Sequence, residues 1–272
     1  MNFDKADSTY IDDDTKTKVR SNSSNNGSEE IDEKWLEFMI IHVGSVVFAF
    51  NAGFINGITY QSLGRGKFVS HITGVTTTAG VDAASHNYTD MGINLTIVVS
   101  FCLGAGISGG LLSPSSLFTL GQEYGPLLII GGLLFFISSM LLFFLPSSHS
   151  GYYFAAMACG IQNTLTTYPG HIMRTTHMTG TITDIGIVLG KYLVKGDVLE
   201  LWKLKILIPL FISFLLGGFV SKYVYVTIGD LAICLSSSFF LIVGSIYTIS
   251  TNCQWGKRYE QIQEVEKIAN LV

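Results

Sequence analysis

Between residues 37 and 252 the chain carries only 16 charged side chains in 216 positions, about 7%. A soluble domain uses roughly 25% charged residues, most of them to cover its surface. So few charges cannot coat a globule of this size, which argues against an ordinary soluble enzyme. The other 20 of the 36 charges sit at the ends: 14 in residues 1–36 and six in residues 253–272. The net charge of −4 lies wholly in the first segment, with its nine acids and five bases. The remainder is balanced, so no basic patch points to a nucleic-acid partner.

The solvent for such a chain is a lipid bilayer, whose core takes about 20 mostly apolar residues per crossing helix. Residues 124–145, 204–224, 228–249 and 91–112 meet that length without difficulty. Residues 35–60 are apolar but include His42, Asn51 and Asn56, and residues 152–168 are shorter and include Gln162 and Asn163. Residues 68–84 and 172–194 mix threonines with ionisable groups. They are either full spans buried in a bundle or broken, re-entrant helices lining a cavity, where irregular backbone avoids lipid. The expectation is an all-α, polytopic transmembrane helix bundle with six clear spans, or eight if both ambiguous segments cross.

Residues 1–34 are rich in Asp, Asn, Ser, Thr and Lys. They offer too little apolar surface to offset ordering entropy, so they are expected to be a disordered cytosolic tail. Residues 35–146 and 147–250 form the two expected membrane halves, and residues 251–272 a cytosolic C-terminal tail. Lysine and arginine placement supports that orientation. With eight spans, 12 lie inside and four outside; with six, the split is 13 to three. Both place both termini in the cytosol. The four cysteines lack the close spacing of a zinc site or disulfide framework, so no metal or other cofactor is expected.

The two halves share a pattern. Gly53-Phe54-Ile55-Asn56 precedes His71-Ile72-Thr73-Gly74, and Gly160-Ile161-Gln162-Asn163 precedes His177-Met178-Thr179-Gly180. The first pair is offset by 107 residues and the second by 106. Each stretch leads into two strongly apolar segments, as a duplication would. Duplicated halves are common in transporter folds. Three spans per half make the halves inverted; four make them parallel. Helix-length stretches can be drawn through both ambiguous segments, which favours the parallel arrangement.

At Ala52-Gly53-Phe54, residues 68–74, Gly160-Ile161-Gln162-Asn163 and residues 174–181 with Asp184 and Gly186, the chain resembles the YoaK-like family of multi-pass membrane proteins of unknown function. The resemblance covers roughly residues 37–250. It implies the architecture and no activity. It also implies an acid in many members where this chain has Asn56, which disfavours ion binding there.

Ionisable groups in a membrane segment are costly and mark a pathway or a partner. The candidate substrate or proton pathway is Asn56, His71, Thr73, Asn163, Arg174, His177, Thr179 and Asp184. Read as a helix, Arg174 and His177 are i, i+3 neighbours, and Asp184 lies two turns beyond His177 on one face. A histidine or Asp184 could carry a proton, and Arg174 could attract an anion, pair with an acid, or sit at the membrane boundary. The leading expectation is a secondary transporter or permease for a small solute, with protons as the candidate coupling ion. The alternative is a non-transporting membrane scaffold or assembly subunit, its polar residues bonding the halves together. No nucleophile–base pair suggests an enzyme. The glycines of residues 104–109 match a dinucleotide fingerprint, but lie in an apolar span and read as helix packing.

Overall fold

A computed structural model describes Met39 and residues 41–62, 66–112, 121–167 and 174–269, with side chains as far as Cys253. The tail expected to be disordered, residues 1–34, lies outside the described residues. Eight α-helices and no strand occur among those described. They are α1 (Ile41–Gln61), α2 (Ile72–Ala84), α3 (Tyr88–Leu111), α4 (Tyr124–Phe144), α5 (Ser150–Thr167), α6 (Met178–Lys195), α7 (Leu204–Ile228) and α8 (Ile233–Ala269).

Four stretches are long and apolar enough to cross a membrane: Ile41–Gln61, Tyr88–Leu111, Tyr124–Phe144 and Leu201–Cys253. The last comprises α7 and α8, separated at Gly229, whose φ of +60° ends α7 in a region open to glycine. Helix α8 runs on to Ala269, so most of the expected C-terminal tail is helical. Helix α5 is less apolar because its environment is protein: Ala155, Cys159, Ile161 and Gln162 are all fully buried.

The two ambiguous segments form shorter helices than they allow. Helix α2 has 13 residues, about 20 Å at 1.5 Å per residue, against a hydrocarbon core of about 30 Å. Helix α6 has 18 residues and starts only at Met178. Arg174, Thr175 and Thr176 precede it in non-helical backbone. This corrects the reading of Arg174 and His177 as neighbours on one helix.

Close packing comes in matched pairs. A Cβ on Gly160 would strike the Phe101 carbonyl oxygen, and one on Gly104 the Met157 carbonyl oxygen, where α3 meets α5. A Cβ on Gly53 would strike the Phe214 carbonyl oxygen, and one on Gly217 the Phe50 carbonyl oxygen, where α7 meets α1. Tyr153 meets Thr96 and Gly160 meets Phe101, which makes α3 parallel to α5; Ser213 bonds the Val46 carbonyl and Gly57 meets Ser221, which makes α1 parallel to α7. Of the glycines in residues 104–109, Gly104 makes the close contact, while Gly106 and Gly109 face open space.

Helices α1 and α5 run antiparallel. Asn51 Nδ2 donates to Gln162 Oε1 at 2.7 Å, Gln162 Nε2 to the Phe48 carbonyl at 2.7 Å, and Tyr152 Oη to the Ser62 carbonyl at 3.0 Å. Helices α1 and α5, which carry the two matched G-x-x-N stretches, are therefore opposed in direction, against the expectation of a parallel arrangement. Behind them, α4 and α8 pack antiparallel. Ser237 Oγ donates to the Gly132 carbonyl at 2.8 Å and Ser139 Oγ to the Asp230 carbonyl at 3.0 Å. Phe240 joins the layers, 5.4 Å from Phe48 and 5.3 Å from Phe135 between ring centroids.

Candidate functional site

Each short helix is preceded by a non-helical segment tied to an asparagine. Asn56 Oδ1 accepts from the Val69 amide at 3.1 Å and the Ser70 amide at 3.0 Å, and Nδ2 donates to Ser70 Oγ at 2.7 Å. Asn163 Oδ1 accepts from Thr176 Oγ1 at 2.8 Å and from its amide at 3.4 Å. Backbone amides away from water need such acceptors. The asparagines thus fix where α2 and α6 begin. Asn56 spends its amide on the backbone, so a carboxamide clamp accounts for this position without an ion.

The H-x-T-G pattern also has a local cause. His71 and His177 are the N-cap residues of α2 and α6, with nearly equal backbone angles (φ −89°, ψ 64° and φ −95°, ψ 60°). Each ring folds over the glycine three residues on. A Cβ on Gly74 would lie 2.6 Å from His71 Cε1, and one on Gly180 would collide with His177 Cδ2. Neither histidine side chain caps an amide of its helix, whereas Asn87 accepts from the Asp90 amide at the start of α3.

Both helix starts open on one cavity of about 550 Å³. Asn56, His71, Thr73, Asn163, Arg174, His177 and Thr179 all line it, joined by Ser70, Thr176, Phe68, Phe101 and Phe214. Asp184 is exposed on α6 and is not among the lining residues. Ser70 and Thr176 are cavity-lining positions that sequence reasoning missed. The available signal was their place before each histidine, at the same offset of 106.

The charges divide clearly. Lys67 Nζ lies 3.0 Å from Asn94 Oδ1 and 3.7 Å from Asp90 Oδ1, while Asn94 Nδ2 donates to Asp82 Oδ2 at 2.8 Å. Beyond the end of α6, Glu200 pairs with Lys191 at 3.0 Å and Lys203 at 3.4 Å. The hydrogen bond from Lys191 holds the Glu200 carboxyl below its ordinary range. Among the described residues, Arg174 and Asp184 have no ion-pair partner. Arg174 is, among the described residues, the one lysine or arginine lining the cavity, and no carboxylate among them lines it.

Helical throughout its described residues, the fold defines a membrane-bundle protein with a cavity of polar and aromatic side chains at the starts of two short helices. Residues 44–246 match the family described as protein of unknown function (DUF1275), and the chain belongs to that family. No curated protein and no solved structure matches it.

Proposed function

We propose that this chain is a secondary transporter or permease for a small solute, built as two inverted halves. In this reading each half supplies three crossing helices and one short re-entrant helix. Helices α1, α3, α4, α5, α7 and α8 cross the bilayer, with both termini cytosolic. Helix α2 dips in from the outer face and α6 from the cytosolic face. The observation that carries the reading is the meeting of the two helix starts, one from each half, at a single cavity. Discontinuous helices related by an in-plane pseudo-two-fold, with a site at the repeat interface, are a recurring transporter design. His71 and His177 are the candidate proton carriers.

The scaffold alternative draws on a real observation. Asn51 with Gln162, and the two asparagine clamps, are interhelical glue. Glue leaves unexplained a lined cavity with an arginine that has no ion-pair partner among the described residues.

Occlusion separates the two readings. Thr73→Trp puts an indole into the cavity from an exposed lining position. In proteoliposomes screened for solute uptake, it is expected to cut flux at least about tenfold, or ~1.4 kcal/mol in the barrier, with an unchanged unfolding temperature. Flux equal to wild type would contradict a pathway through this cavity. Asp184→Asn is the companion variant; unchanged flux and pH dependence would remove Asp184 from the mechanism.

A further inference from the structure

We propose that the cavity binds a small organic anion, its carboxylate or other oxyanion head held at Arg174 and its apolar body against Phe101 and Phe214. This names a substrate class for the site above and rests on that reading for transport, though not for binding.

The first ground is charge. Among the described residues, Arg174 is the one lysine or arginine lining the cavity, it has no ion-pair partner, and no carboxylate lines the same space. At an exposed position lining the cavity, a guanidinium with no ion-pair partner among the described residues offers a planar fork of donors suited to an oxyanion.

The second ground is an excess of donors over acceptors. The Asn56 and Asn163 side-chain oxygens are taken by backbone and by Thr176. Asn163 Nδ2 has no acceptor among the described residues. Ser70 is 4% exposed and lines the cavity. Its hydroxyl accepts from Asn56, and its own proton has no acceptor among the described residues. The first-turn amides of α2 and α6 add to this surplus, because the Val75 and Thr181 amides are the first to find carbonyls, those of His71 and His177. Two uncapped N-termini place positive helix-dipole ends on the same cavity.

The third ground is size. A volume of about 550 Å³ is far larger than a halide and falls in the usual range for organic ligands, roughly 300–1,000 Å³. Phe68, Phe101 and Phe214 supply an apolar wall. A neutral solute would leave the arginine without a counter-charge, and a cation would meet it head-on.

The test compares carboxylates with amides of the same shape. Purified full-length protein in nanodiscs at pH 7.5 is titrated with benzoate, propionate, benzamide and propionamide at constant ionic strength, and binding is read by calorimetry and thermal shift. Saturable binding of a carboxylate at least tenfold tighter than its amide is expected. Arg174→Gln should abolish that preference without lowering the unfolding temperature of the unliganded protein, and Arg174→Lys should keep part of it. Equal binding of acid and amide, binding of neither, or a preference untouched by Arg174→Gln would overturn the anion site. A parallel flux assay separates the two ideas. Selective carboxylate binding without flux keeps the anion site and removes the transporter reading. Flux of amides alone does the reverse.

Discussion

Gly160→Val is expected to lower the stability of the bundle sharply, while Gly106→Val in a neighbouring helix leaves it nearly unchanged. A Cβ at residue 160 falls on the Phe101 carbonyl oxygen and within 2.9 Å of the Ala105 amide nitrogen. Both are backbone atoms of α3, which cannot rotate away as a side chain could. Overpacking by side-chain atoms typically costs about 1–3 kcal/mol; a backbone obstacle puts this substitution at or beyond the upper end. That is a large share of a net stability of about 5–15 kcal/mol. About 3 kcal/mol corresponds to a fall of ~6–12 °C in unfolding temperature for a chain of this size. Gly106 has nothing within 4 Å of its Cβ position. Thermal unfolding and gel filtration in detergent check the pair. Equal unfolding temperatures for the two variants would remove the α3–α5 backbone contact from the account.

Asn56→Leu is expected to have the second-largest effect. It removes the acceptor of the Val69 and Ser70 amides at a position only 5% exposed. Leaving a buried group unmet costs about 1–3 kcal/mol, so two amides lose about 2–6 kcal/mol. Asn56→Asp keeps an acceptor oxygen for the two amides and replaces the donating Nδ2 by a second acceptor, to which the Ser70 hydroxyl can turn to donate. It should therefore retain more stability than leucine despite its charge. The check is unfolding temperature together with hydrogen exchange at Val69 and Ser70. Those amides should exchange faster in Asn56→Leu and stay protected in Asn56→Asp. Protection equal to wild type in the leucine variant would show that the clamp does not hold the segment.

Much of the bundle is legible in hydropathy because lipid selects on it directly. The expected segment 124–145 became α4 at Tyr124–Phe144, and 152–168 became α5 at Ser150–Thr167. The breaks before α2 and α6 are not legible in this way. They depend on an asparagine reaching backbone amides 13 or 14 residues away, and periodicity carries no information about such a bond. Helix direction is hidden for a related reason: an apolar segment reads the same whichever way it crosses. The offsets of 107 and 106 did point to the right neighbourhoods, since Asn56, His71, Asn163 and His177 all line one cavity. A helix running from residue 172 would put Asp184 on the same face as Arg174 and His177. The helix starts at Met178 with the His177 ring folded over Gly180, so Arg174 lies off the helix and Asp184 outside the cavity lining.

The central claim is that α2 and α6 enter from opposite faces and do not cross. Side-specific labelling tests it through Ser85, in the turn after α2, and Val198, in the loop after α6, both exposed. Each is changed to cysteine in a background in which Cys102, Cys159, Cys234 and Cys253 are replaced. A membrane-impermeant maleimide applied outside intact cells should label Ser85→Cys at once. It should label Val198→Cys only after permeabilisation. Eight crossings would put both positions on the cytosolic side, so protection of both in intact cells is the result that would contradict the inverted, re-entrant arrangement.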